Sequence, residues 1–596
     1  MRFAWKCFSW LLVAALCFVY EVFWARPERM RAKLRRQGIG GPPRTLFFGN
    51  TLDMKRIQAE EKGRKVNGHD YAAILFPFLD RWRKKYGKSR NRNLRYVVGL
   101  VLIGVISGIH TWKPFPVFGL KEMLLRAFES ANTVRTVGAS TFSRVLCSHL
   151  LHVHLRMSAR KIALSACFGP AAQTIGSIFV FSMGNLDILH VNDVGMMREI
   201  SQCKSLDLAK PTYVKELFKP LFGHGILSSS GSKWAHQRKV IAREFFTDKV
   251  KGMVELMVDA TKPVLESWET RVQCEGNTAE IFVDEDLRII SADVISRACF
   301  GSSYSEGKEI FAKLKALQIA LSKNAVFLGI PGMRYLPTSN NREIWRLERK
   351  SRALILKIVQ KRQEEPESSS NKDLLQSLLE SSGDSCIGPD TMEDFIVDNC
   401  KNIYFAGHET TATSAGWCLM LLASHPEWQA HARDEVVGIC GDQSPTADML
   451  SKMKTLTMVI QETLRLYSPG TFVTREALKD MKLGDLYIPK GLNIRIPTSI
   501  MQNDPEIWGP DAYEFNPERF ANGISGACKY PLAYVPFGTG IRTCVGQNLA
   551  MVELKIVLSQ ILSKFSFSLS PNYCHSPANR LTLGQEFGVP LVMKKA

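Results

Sequence analysis

One thiol stands out by its surroundings. Phe537-Gly538-Thr539-Gly540-Ile541-Arg542-Thr543-Cys544-Val545-Gly546 sets a cysteine in a loop of small residues, just ahead of an amphipathic run from Gln547 to Phe565. Before a helix N-terminus and beside a guanidinium, a thiol is favoured as the thiolate, because both positive ends stabilise S⁻. A sheltered thiolate suits haem iron as an electron-donating axial ligand. The plainer alternative is a glycine-rich turn holding a structural Cys. A dinucleotide fingerprint fails, since Thr543 stands where the third glycine after Gly538 and Gly540 belongs.

Other residues offer complementary chemistry. The run Asp394 to Leu422 is long, apolar and helical in period, and its centre reads Ala406-Gly407-His408-Glu409-Thr410-Thr411-Ala412-Thr413. Gly and Thr are poor mid-helix residues, so a local opening is predicted there, with hydroxyls and carbonyls facing a pocket. An acid beside an alcohol can hold water and relay protons; alternatively the Thr hydroxyls bond back to the preceding turn. Trp234 and Arg238, four apart, share a helical face. They can grip a buried carboxylate or form a cation–π pair. Glu462 and Arg465 are helical neighbours, worth only about 0.2–0.5 kcal/mol at a surface unless a third partner joins them. Arg475 follows in an extended apolar stretch, Thr471 to Ala477, and Arg519 in a meander rich in Pro and aromatic residues.

The elements that must position these groups are readable in part. Residues 7–25 are apolar apart from Ser9 and Glu21, and six basic residues follow from Arg26 to Arg36. That length just reaches across a bilayer core, and the flanking charge places the remainder of the chain in the cytosol. Bulky Phe23-Trp24 and the lack of a small-x-small pattern favour an uncleaved anchor over a cleaved signal peptide. Residues 1–36 are thus the anchor and its basic flank. Residues 37–87 hold a stiff Gly-Pro elbow, Gly38 to Pro43, and an amphipathic helix, Tyr71 to Tyr86, ending at Gly87. Strands at 178–183 and 187–191 form a hairpin about Gly184-Asn185. Residues 206–232 read as loop, a helix begins at Trp234, and 245–385 are mostly helical with a polar loop at 363–372. A second hairpin is read at 485–491.

The 596 residues are 45% apolar and 22% charged, with 14 scattered cysteines and no Cys-x-x-Cys, which indicates neither a zinc site nor a disulfide framework. The net charge of +20 is uneven: residues 1–36 hold eight Lys or Arg against two Glu, and residues 88–176 hold twelve against two. The rest carries little excess, which excludes a basic nucleic-acid-binding face. Segment 88–176 is itself atypical. Its apolar runs lack a period, and Val97 to Ile109 is too short to span a membrane. It reads as an insertion foreign to the fold, a translated intron or gene-model error; the functional alternative is a basic arm lying on a membrane. Residues 177–596 would then complete the catalytic domain.

Taken in order, these motifs resemble the cytochromes P-450, haem-thiolate monooxygenases. Four match: Trp234-x-x-x-Arg238, Ala406-Gly407-x-Glu409-Thr410-Thr411, Glu462-x-x-Arg465 with Pro517-Glu518-Arg519-Phe520, and the cysteine loop. The resemblance covers the chain apart from 88–176. It implies a mostly α fold with small β-sheets and one N-terminal transmembrane helix, anchored once in the endoplasmic reticulum with the catalytic domain in the cytosol. It further implies haem b ligated by Cys544, with propionates on Trp234, Arg238, Arg542 and Arg475. Glu462, Arg465 and Arg519 would form a buried ion triad, and Glu409 and Thr410 would deliver protons for cleavage of O2. With no flavin or nicotinamide motif present, NADPH-cytochrome P-450 reductase would supply electrons, steered by basic residues such as Lys239 and Arg243. The segment from Ser228 to Phe246 is most similar to plant gibberellin-oxidising enzymes. That implies hydroxylation or epoxidation of a diterpenoid acid, with pocket candidates Ala406, Thr471, Phe472, Val473 and Phe587. An isomerase or dehydratase on the same fold, which needs no Thr410, and a product inactivated by the insertion are the alternatives.

Overall fold

Helical periodicity dominates the chain, and the computed structural model describes residues 10, 13–14, 16–61, 68–87, 178–302, 304–324, 332–364, 373–381 and 391–596. The chain divides into two units, Met1–Lys88 with Ser177–Ala596, and Ser89–Gly176. The second unit, and with it the basic segment 88–176, lies outside the described residues. The elements that position the site are helices α1 (Arg26–Arg36), α2 (Pro77–Tyr86), α3 (Thr212–Phe222), α4 (Gly231–Ala242), α5 (Val283–Phe300), α6 (Tyr304–Asn324), α7 (Met392–Ser424), α8 (Lys454–Leu466) and α9 (Gln547–Lys564). Strands β1 (Ile178–Met183), β2 (Leu186–Val191), β3 (Leu208–Ala209), β4 (Phe472–Ala477) and β5 (Asn493–Pro497) form one sheet in the order β1-β2-β5-β4-β3.

The predicted hairpin is present: β1 and β2 pair antiparallel, with Gly184 at φ +58° in the turn. β2 then pairs parallel with β5, Ile188 opposite Asn493. β5 pairs antiparallel with β4, Thr474 opposite Arg495, and β4 with β3, Ala209 opposite Glu476. Alternation on β4 buries Val473, Arg475 and Ala477 on one face and leaves Phe472, Thr474 and Glu476 half-buried on the other.

Several expectations are corrected. The helix at 71–86 is broken into Tyr71–Leu75 and α2, because Pro77 has no N–H to continue the ladder. The loop expected at 206–232 contains β3 and α3, with Pro211 at the N-cap of α3 and Pro220 in its last turn. Thr278–Phe282 is a strand within the largely helical 245–385, paired with Pro590–Lys595. The later hairpin joins Met481–Leu483 to Leu486–Ile488 and therefore turns at Gly484, earlier than expected. Among the described residues no helix is long and apolar enough to cross a membrane. The expected span 7–25 lies partly outside them; its described part is helical and continues into α1, with Trp10, Leu16, Phe18 and Tyr20 exposed.

α7 runs through the centre of the core. From Phe395 to Ala423 it is buried everywhere except at Ala406, Gly407, Glu409 and Thr410. The predicted opening of this helix is absent, and its hydrogen bonding is unbroken. Gly407 has a different reason: a Cβ there would lie 2.5 Å from Ile295 Cδ1, so the glycine admits the close approach of α5.

Candidate active site

The cysteine loop is a 3₁₀ turn, Gly540–Arg542, capped by the Thr543 N–H and hydroxyl on the Gly540 carbonyl. Gly538 and Gly540, at φ +76° and +69°, take backbone conformations that favour glycine. The Cys544 N–H donates to the Phe537 carbonyl at 2.8 Å, which closes the loop. The Cys544 side chain is open to space beside the loop. Its thiol is pushed up by burial, while the Gly546 N–H and the Arg238 guanidinium pull the other way. The expected thiolate bias is therefore outweighed by desolvation in the free protein; a metal cation at sulfur reverses that balance.

Around this loop the structure collects positive charge. Trp234 is buried, with Arg542 Cζ 4.2 Å and Arg238 Cζ 5.7 Å from its ring. Arg238 donates to the Thr543 carbonyl (2.7 Å), Arg542 to that of Ser229 (3.1 Å), and Arg475 to that of Thr539 (3.1 Å). Arg542 Nε is buried with no partner. Burial, reinforced by Arg475 and Arg238, pushes Arg542 down to about 9, and burial alone pushes Arg475 down to about 10. Sequence reasoning missed a fourth cation. Lys210 follows Ala209, which pairs with Glu476, so register sets it opposite Arg475; burial, Arg475 and Arg542 push it down to about 7. Among the described residues, no carboxylate is one of the charges acting on these four residues. Such a cluster favours an anion, and the two carboxylates of haem beside an open thiol fit it.

Glu462, Arg465 and Arg519 do meet. Arg465 makes a bidentate pair with Glu462 (2.6 and 2.7 Å), and both are fully buried. Arg519 Nε lies 3.6 Å from Glu462 and its Nη2 2.6 Å from Asp511. On α7, the Thr410 hydroxyl donates back to the Ala406 carbonyl at 2.6 Å. Glu409 lies 3.6 Å from Arg288 of α5. Burial raises its carboxyl above the usual range, against the pull of Arg288 and Lys315.

One further α7 role carried no sequence signal. Asp398, Asn399 and Asn402 accept the N–H groups of His224, Ile226 and Leu227 at 2.7, 3.0 and 2.8 Å, pinning the turn after α3. A cavity of about 770 Å³ opens between α1, α3, α6 and residues 332–348, with Glu476 and Asn493 in its wall. Neither Cys544, Glu409 and Thr410 nor the pocket candidates Ala406, Thr471, Phe472, Val473 and Phe587 line it. Phe587 is 64% exposed, whereas Thr471 and Val473 are buried and Phe472 and Ala406 half-buried.

Comparison with known proteins places this geometry. A family model described as Cytochrome P450 matches residues 151–588. Cytochrome P450 714C2 of Oryza sativa subsp. japonica is 46% identical over 593 residues, 98% of this chain and 97% of the relative. Cytochrome P450 714B2 of the same rice is 42% identical over 98% of this chain and 95% of the relative, and Cytochrome P450 714A2 of Arabidopsis thaliana 40% over 94% and 92%. Proteins of this kind bind haem through a cysteine thiolate and take electrons from a redox partner to use O2 on small molecules. The chain belongs to the cytochrome P450 family and is a monooxygenase.

Proposed function

We propose that this protein is a membrane-anchored monooxygenase that hydroxylates or epoxidises a gibberellin-type diterpenoid. One atom of O2 enters the substrate and the other leaves as water, with two electrons and two protons consumed. NADPH-cytochrome P-450 reductase supplies the electrons, and the protein sits in the endoplasmic reticulum membrane through residues 7–25 with its catalytic domain in the cytosol. Exposed apolar side chains along the described part of that segment support the anchor, and the kinship with the 714 proteins supports the substrate class.

The observation that carries the site assignment is the uncompensated cation cluster around an open thiol. Cys544 is the iron ligand; Trp234, Arg238, Arg475 and Arg542 hold the propionates. Haem, when bound, supplies the oxidising chemistry. The chain's own residues position and protonate. Glu409, held near Arg288 in a setting that favours its protonated form, is a half-buried proton donor next to Thr410. The Thr410 hydroxyl can leave the Ala406 carbonyl and pass that proton on. Ala406 to Thr410 form the one stretch of α7 between Phe395 and Ala423 with incompletely buried residues, so proton transfer and substrate contact are confined there.

The test is microsomal expression with reductase and a panel of gibberellins. Product formed in step with O2 and NADPH consumption is expected; turnover without O2 consumption would identify an isomerase or dehydratase. Cys544→Ala should abolish the thiolate-type Soret band of the reduced, carbon-monoxide-bound protein, and its retention would refute the ligand assignment.

A further inference from the structure

Apart from the cations around the cysteine loop, another guanidinium, half-buried with its Nε enclosed, has no carboxylate partner among the described residues. Arg495 is on β5, and its Cζ lies 4.1 Å from the Phe472 ring and 6.0 Å from that of Phe181. Its hydrogen-bond contact is with Met183 Sδ at 4.0 Å, while Nε is buried with no partner. Among the described residues, Tyr213 is the ionisable group that acts on its charge. The neighbouring His190, across the parallel pairing, is no counter-ion either: both ring nitrogens are buried and unpartnered, and burial keeps the ring neutral. A guanidinium in such a place is expensive unless an anion arrives.

Its position shows where that anion comes from. Thr474 pairs with Arg495 and Glu476 with Asn493, so alternation sets Phe472, Thr474, Glu476, Asn493 and Arg495 on one face of the sheet. Glu476 and Asn493 wall the 770 Å³ cavity, and Tyr213, the residue acting on Arg495, is part of the same wall. Glu476 is engaged by the Thr212 N–H. Arg475 points to the opposite face, towards Thr539 of the cysteine loop. Arg495 is therefore separate from the propionate group and sits at the residue pair next to the Glu476–Asn493 pair that walls the cavity, on the same face.

We propose that Arg495 is the anion receptor of the substrate channel, binding the carboxylate of a hydrophobic acid whose hydrocarbon body packs on Phe472 and extends into the cavity. A guanidinium matches a carboxylate bidentately, and flat apolar neighbours suit a fused-ring or long-chain body. The inference rests on the diterpenoid-acid reading and specifies where the acid's charge goes.

Binding to the haem-loaded, full-length protein tests it, through the spectral shift caused by a gibberellin with a free carboxyl group, the methyl ester of the same molecule, palmitic acid and methyl palmitate. The reduced carbon-monoxide spectrum checks each variant for assembly. Arg495→Gln is expected to weaken the acids about ten- to a hundredfold, the usual span for a charged hydrogen bond, and to leave the esters unchanged, with Arg495→Lys intermediate. Equal weakening of acid and ester, or unchanged binding of the acids, would overturn the proposal. If only palmitic acid shows the Arg495-dependent preference, the receptor stands and the gibberellin reading falls. If a gibberellin binds and is oxidised with no dependence on Arg495, the reverse holds.

Discussion

Replacing Glu462 by Gln keeps the side chain's shape and removes its charge. Arg465 and Glu462 are 0% exposed, so neither group can recover solvation by turning outward. Beyond its two bonds to Glu462, Arg465 donates to the carbonyls of Gln502, Ala512 and Glu514 at 2.9, 2.7 and 3.0 Å and to Asn503 Oδ1 at 3.2 Å. These neutral acceptors position the guanidinium and leave its charge unbalanced once Glu462 is gone. Glu462 also accepts the Asn516 N–H at 3.0 Å, so the segment leading to Arg519 loosens too. Breaking a buried pair by removing one partner costs about 3–5 kcal/mol, and that is the loss expected for Glu462→Gln. Arg519→Met leaves Glu462 its bidentate pair with Arg465 and strands only the part-exposed Asp511, so it should cost clearly less than Arg465→Met. The assay is urea unfolding followed by loss of the carbon-monoxide spectrum and by far-UV circular dichroism. A Glu462→Gln protein unfolding within about 1 kcal/mol of the parent, the range of an exposed pair, or an Arg519→Met variant weaker than Arg465→Met, would refute the reasoning.

Asp398→Ala should cost about 3–5 kcal/mol by removing the carboxylate 2.9 Å from buried Lys401, and hydrogen exchange should rise at the amide of His224 above all. Glu553 is buried on α9 and pushed up to about 8 by burial, against a hydrogen bond from Ser291. A carboxyl raised in the folded state stabilises below its unfolded value, and that contribution fades as pH climbs through the folded one. Stability of the parent should thus fall between pH 5 and 8 more steeply than that of Glu553→Gln, as read by denaturant midpoints; parallel profiles would count against it. Deleting residues 88–176 should preserve the thiolate spectrum. The ends flanking that segment converge: the Val180 N–H donates to the Gly40 carbonyl at 2.9 Å, and a Cβ on Gly40 would be 4.0 Å from the Tyr86 carbonyl. An unfolded deletion product would sink that expectation.

What the sequence made legible was local. Cys544 with Arg542, Trp234 with Arg238, and Glu462 with Arg465 are fixed by spacing within one loop or helix, and each pair is in contact or adjacent as read. Lys210, Arg288 and Arg495 were not legible, because their partners come from register or packing between distant segments. Helix α3 was hidden by Pro211 and Pro220, which read as breakers but occupy a cap and a final turn. Gly407 misled in the other direction, since its small size serves contact with Ile295 rather than an opening.

The parallel pairing of Ile188 with Asn493 joins strands separated by roughly 300 residues of chain. During synthesis at about 5–20 residues per second, β2 therefore waits roughly 15–60 s for β5 to emerge. Through that interval the β1–β2 hairpin has an open edge and unburied aromatic side chains, a template for wrong pairing. The cysteine loop emerges later still, so haem reaches a nearly finished protein. Chains that stall between residues 191 and 493 should be the ones that aggregate, and haem supplied early should not rescue them.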